Sequence, residues 1–192
     1  MGRPRTISDD DILGAAAGVV TELGPQGLTL GRVAAEAGLS AATLVQRFGS
    51  KRGLLLALAG RGADEAAEPF DAARAADPSP LGALRGALRA MARFARTPEA
   101  LANHLAFFQI DLQEPDFHEL ALTHARAFRA EVQGLLDQAV AAGELAPCDT
   151  ARLARTVQVT FNGSLITWAV HREGPVEDWL ASDLDAVLKP AR

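Results

Sequence analysis

Apolar residues recur along this chain at three- and four-residue steps, the spacing that places side chains on one face of an α-helix. Ile12, Ala16, Val19, Val20 and Leu23 form the first such stripe. Ser8 precedes it as an N-cap, Asp9, Asp10 and Asp11 load its first turn, and Gly24-Pro25 ends it. Val33, Ala34 and Ala37 mark a short second stripe, and Leu44 and Phe48 a third over Ala41–Phe48. A longer helix is predicted from Ser50 to about Ala76, with Leu54, Leu55 and Leu58 on its apolar side. Asp77-Pro78-Ser79-Pro80 is the clearest punctuation, after which Leu81, Leu84, Leu88, Met91 and Phe94 resume the helical step. Thr97-Pro98 then starts a helix to about Leu112, which Glu114-Pro115 ends. Helices over about Asp116–Ala142, Thr150–Arg172 and Val176–Leu188 complete the pattern. No run with period two persists, so the predicted class is all-α with about nine helices. A head over residues 1–60 and a helical body over 61–192 are expected, the helix from about Ser50 linking them.

The segment Leu28–Phe48 is organised more tightly than the rest. Thr29 stands where an N-cap belongs, and Gly38 follows the short helix where a left-handed residue costs nothing sterically. Leu39 plugs the turn and Ser40 caps the next helix. Helix, glycine turn, capped helix is the helix-turn-helix arrangement, whose second helix can lie in the DNA major groove. Just beyond, Lys51 and Arg52 open another helix, where cations oppose the helix dipole. A phosphate at that N-terminus would relieve the conflict.

The segment Ile12–Leu58 resembles the tetracycline-repressor (TetR) family of bacterial transcriptional regulators. The resemblance is carried by Ile12, Ala16, Gly24, Gly27, Leu28, Thr29, Val33, Ala34, Ala37, Gly38, Leu39, Ser40, Thr43, Leu44, Phe48, Ser50, Lys51, Leu54 and Leu55. It implies a three-helix DNA-binding head and a divergent helical body that binds a ligand and dimerises. It also implies that Thr43 lies in the groove, while Thr29 and Lys51 hold phosphates. Val45 and Gln46 stand where aromatic residues commonly support backbone contacts, and Gly31 replaces a frequent basic residue.

Composition adds limits. The chain has 192 residues, 48% of them hydrophobic, enough for a sizeable core. It contains no apolar run long enough to span a membrane and no signal-peptide core, so a cytoplasmic protein is expected. A single cysteine, Cys148, excludes an intrachain disulfide and a multi-cysteine metal site. Net charge is −5, yet residues 1–60 carry six cations against five carboxylates. The acid therefore lies in the body, and the head is weakly basic. Gly2–Thr6 forms a short basic arm that could follow a groove.

With Leu44 and Phe48 facing in, Ala41, Ala42, Thr43, Gln46 and Arg47 are the outward candidates on the second helix of the pair. Arg47 suits a guanine edge or a phosphate, Gln46 suits adenine, and the alanine and threonine methyls suit a thymine methyl. Arg32 and Lys51 are further candidates for contact with DNA. One such head buries little surface, so a homodimer reading a palindromic duplex is expected. By resemblance, the last two helices form the interface, through Gly163, Leu165, Ala169, Trp179, Leu180, Leu184 and Val187.

A sensing pocket in the body is expected mainly by resemblance. Its candidate apolar lining is Met91, Phe94, Phe107, Phe108, Phe128, Phe161 and Trp168, with His104, Asp111, Gln158 and Asn162 as polar fixtures. Such a lining suits a small, largely apolar inducer. Large apolar residues at helical spacing are also what an ordinary core contains. The densest titratable cluster is Asp116, His118, Glu119 and His124, but His118 and His124 are six residues apart, which does not put two ligands on one helical face. No phosphate-binding glycine loop or nucleophile motif occurs, so neither enzyme, metal nor cofactor is expected. The competing reading is an adaptor or activator whose body binds a protein partner.

Overall fold

In the computed structural model, which describes residues 7–188, the chain is all-helical. The helices are α1 (Asp9–Gly27), α2 (Leu30–Glu36), α3 (Ala41–Phe48), α4 (Lys51–Asp64), α5 (Glu68–Ala76), α6 (Pro80–Met91), α7 (Pro98–Gln113), α8 (Pro115–Ala141), α9 (Thr150–His171) and α10 (Val176–Val187). One 3-10 turn, Ala92–Ala95, follows α6. The basic arm expected at Gly2–Thr6 lies outside the described residues. No described helix is long and apolar enough to cross a membrane.

The caps that the sequence promised are made. Ser8 and Asp11 form a reciprocal capping box, and Thr97 accepts from the Ala100 N–H at 3.1 Å. The helix expected over Ser50–Ala76 is in two pieces, α4 and α5, interrupted at residues 65–67. Pro69 supplies the reason. It has no N–H to donate, and its ring would clash with the carbonyl four residues back, so it sits in the first turn of a new helix. Gly24 (φ 69°) likewise breaks α1, and Pro25 restarts its last turn.

The chain forms two compact units. The first comprises the described residues up to Ala63 together with Ala102–Ala121; the second comprises Asp64–Leu101 and the described residues from Leu122 onward. The head is therefore larger than a cut at residue 60 implies, because parts of α7 and α8 belong to it. Its core gathers Ile12, Ala16, Val20, Leu28, Val33, Leu44 and Leu54, and Phe117 from the start of α8 is 1% exposed among them. Phe107 of α7 meets Phe117 edge-on at 6.2 Å.

The second unit has its own core, built on Phe70, Leu84, Leu88, Phe128, Leu135, Leu136, Phe161, Leu165, Leu180 and Leu184. Phe128 contacts both Phe70 and Phe161, with ring centroids 5.6 and 6.0 Å apart. The loop between α9 and α10 is pinned by two indoles: Trp168 donates to the Gly174 carbonyl and Trp179 to that of Glu173.

Candidate nucleic-acid interface

Two short helices and the turn between them build the candidate site. Thr29 accepts from the Arg32 N–H and so caps α2. At its other end Gly38 takes φ +68°, its N–H donates to Ala35, and the Leu39 N–H reaches back to the Ala34 carbonyl at 2.7 Å. That pair of bonds is a Schellman stop, which needs a left-handed residue where glycine stands. Ser40 then caps α3 by accepting from the Thr43 N–H at 3.2 Å. Leu44 is fully buried beneath α3, and Phe48 packs on the same core.

The opposite face of α3 is exposed at Ala41, Ala42, Val45 and Gln46. Thr43 is half-buried, its hydroxyl 2.9 Å from that of Ser40. Arg47 differs from expectation. Its Nη1 donates to the Ile7 carbonyl at 2.8 Å, and its Nε lies 3.3 Å from the Asp9 carboxylate. The expected reading side chain is thus a clamp between the end of α3 and the start of α1. The guanidinium is attracted there by the acidic first turn that Asp9, Asp10 and Asp11 provide.

The cations at the start of α4 also find partners within the protein. Lys51 donates from Nζ to the Gln26 carbonyl at 3.0 Å, leaving ammonium protons for a phosphate. Arg52 donates from Nη2 to Asp116 at 2.8 Å and from Nε to Glu114 at 3.1 Å, with its guanidinium over the Phe117 ring. Asp116, the stronger influence, and Glu114 raise the already high pKa of Arg52. The conflict with the helix dipole expected at Lys51 and Arg52 is therefore relieved by the chain's own acceptors. The polar cluster at Asp116 joins this arrangement, and no group of three or more His, Cys, Asp or Glu side chains set to hold a metal occurs among the described residues. Thr29 and Arg32 are exposed on α2. Phe117 and the Arg52 partners were not singled out by the sequence; the acidic residues around Pro115 were the available signal.

The ligand candidates do not assemble as one set. His104, Phe107, Phe108 and Asp111 belong to the first unit, and Met91, Phe94, Phe128, Gln158, Phe161, Asn162 and Trp168 to the second. Phe107 packs on the head core, while Phe108 is 46% exposed and His104 is exposed. Burial pushes the Asp111 carboxyl up to about 6. In the second unit Phe128, Phe161 and Trp168 are core, Met91 and Phe94 pack against it, Gln158 is half-buried and Asn162 exposed. A recess of about 400 Å³ in that unit is lined by Leu145, Cys148, Arg152, Leu153 and Val187 among others, and includes none of the ligand candidates.

The candidate dimer residues divide in a similar way. Leu165, Leu180 and Leu184 are covered by the second unit's own core, a correction to their expected role, since they have almost no area left to bury against a partner. Ala169, Trp179 and Val187 are partly buried against that core, and Gly163 is exposed. The apolar residues that α9 leaves uncovered are Val159, Ile166 and Val170, the last 76% exposed.

A capped helix, a left-handed glycine turn and a second capped helix on a shared apolar core define a helix-turn-helix DNA-binding protein. Residues 12–58 match the family model described as bacterial regulatory proteins, tetR family. The chain belongs to that family and is a DNA-binding transcriptional regulator. Solved structures share the fold over nearly the whole chain. A TetR-family transcriptional regulator from Rhodococcus sp. is 24% identical, with 94% of this chain and 98% of that one covered at a TM-score of 0.70. The transcriptional regulator FadR from Bacillus subtilis, solved in complex with stearoyl-CoA, is 16% identical over 95% and 98%, at 0.71. SmeT, the repressor of a Stenotrophomonas maltophilia multidrug efflux pump, is 21% identical over 94% and 88%, at 0.66. No curated protein matches the chain in sequence comparison.

Proposed function

We propose that this regulator is a homodimeric repressor that binds a palindromic operator and leaves it when a small, largely apolar ligand occupies the helical body. The observation that carries the reading is the outward face of α3, where Ala41, Ala42, Val45 and Gln46 stand exposed on a helix anchored by Leu44. One helix of this length makes few base contacts, so two copies related by a two-fold axis are needed for affinity and for half-site spacing. Pairing is supported by Val159, Ile166 and Val170, apolar residues that α9 leaves uncovered beside Gly163.

The ligand step is supported by likeness of fold to FadR with its stearoyl-CoA and to the repressor SmeT. A ligand that prefers a body conformation in which the two heads miss adjacent grooves weakens operator binding by that preference. Selection of bound sequences from a random duplex pool tests the reading. An enriched inverted repeat, with half-site centres about 10 base pairs or a multiple apart and two chains per duplex, is the expected result. A single chain per duplex, or no enriched sequence, overturns it.

A further inference from the structure

We propose that α3 reads its half-site chiefly through thymine methyl groups, with Ala41, Ala42 and Val45 as the contact surface and Gln46 reading a neighbouring adenine. This rests on α3 entering the major groove, as in the function proposed above. Ala41 and Val45, and Ala42 and Gln46, are two pairs four residues apart, so the four side chains share one helical face. Leu44 and Phe48 hold the other face to the head core.

The chemistry of the exposed face is narrow. Val45 is 49% exposed, and the two alanines beside it offer only methyl groups. The one cation of the helix, Arg47, is turned to Ile7 and Asp9, and α3 has no carboxylate. The Thr43 hydroxyl is engaged with Ser40.

In the major groove, guanine offers two acceptors, which call for a donor such as arginine. Cytosine offers an amino donor, which calls for a carboxylate or another acceptor. Only thymine, of the four bases, offers a methyl group, and adenine offers the donor–acceptor pair that a glutamine amide matches. A face with three apolar side chains and one amide therefore fits a half-site rich in A·T pairs at the contacted positions. Val45 is the residue whose larger apolar surface has most to gain there.

The test uses the full chain and the duplex it enriches. Each thymine in the half-site is replaced by uracil, which keeps Watson–Crick pairing and removes only the methyl. The account expects about a fourfold loss of affinity for each contacted methyl, from the transfer free energy of one buried carbon. Val45→Ala, an exposed change to a stronger helix former, is expected to weaken thymine binding and to erase the uracil effect at one position only. Uracil-containing operators that bind like the thymine ones overturn the methyl readout while leaving the DNA reading intact. A G·C-rich half-site whose preference vanishes in Arg47→Ala overturns it too. Enrichment of no duplex at all overturns both, so the two failures are distinguishable.

Discussion

Arg47 and Asp9 face each other across the head, 3.3 Å apart, while the same guanidinium donates to the Ile7 carbonyl. The contact ties the last turn of α3 to the first turn of α1. Its function is positional: it sets the angle at which the exposed face of α3 is presented.

Arg47→Ala is therefore expected to lower the stability of the head by about 1 kcal/mol, the scale of a partly exposed charged hydrogen bond. The order in which base substitutions weaken operator binding should stay as in the parent protein. Thermal denaturation and a panel of substituted duplexes check both halves. Loss of preference at one guanine, with stability unchanged, would return Arg47 to a reading role.

Arg52 faces Asp116 and Glu114 in the same unit, so its charge is masked where α4 begins. Converting both partners to amides, Glu114→Gln with Asp116→Asn, should free it for a phosphate. Non-specific DNA affinity should rise, and the log–log salt dependence should steepen by about one unit for each dimer subunit that gains a contact. Arg52→Ala in the parent protein should leave that slope unchanged. Anisotropy titrations across a salt series decide the matter.

Asp111 has a carboxyl raised to about 6 by burial, against an ordinary value of 3.8. Below the lower value both folded and unfolded chains hold the proton, and above the higher one neither does. Between them the folded chain holds more protons, so this group's contribution to stability falls as pH rises from about 4 to about 6 and then levels off. Asp111→Asn should remove that fall and stabilise the protein at pH 7 by about 1 kcal/mol, a figure reduced for solvent screening of a half-exposed group. Denaturant midpoints at pH 4 and pH 7 provide the comparison. An identical pH profile for the variant would show that burial does not penalise the carboxylate.

The two sides of α9 should respond differently to substitution. Val170→Glu combined with Ile166→Glu places charge on the uncovered side and should give a folded monomer by light scattering. Leu165→Ala removes a side chain from the second unit's core and should cost about 2–5 kcal/mol of stability, with pairing retained at temperatures where the chain is folded. A double glutamate variant that remains a dimer would move the interface elsewhere.

Much of this was legible in the sequence, for local reasons. Ser8, Thr29, Ser40 and Thr97 announce helix starts because a cap acts within three residues, and Gly38 announces a stop because only that position is left-handed. The all-helical class followed from periodicity alone. Other features depend on contacts far along the chain. Asp9 and Arg47 lie in different helices, as do Arg52 and Asp116, and no local pattern pairs them. Phe117 belongs to the head although it follows it by more than fifty residues.

On α9, apolar residues occupy several sides of the helix, so periodicity does not reveal that Leu165 is covered by the chain and Val170 is not. The aromatics taken as pocket lining share helical spacing with ordinary core, and Phe128, Phe161 and Trp168 are core. The break before α5 was legible after all, in Pro69.

The most direct test of the central claim, that the glycine-hinged helix pair reads a duplex, is a competition isotherm. Full-length protein is titrated into the enriched operator, and into the same base pairs in scrambled order, at moderate ionic strength. The account predicts a preference of at least about a thousandfold for the operator, the lower range for specific recognition. Equal binding to the two duplexes, by protein shown to be folded, would contradict it.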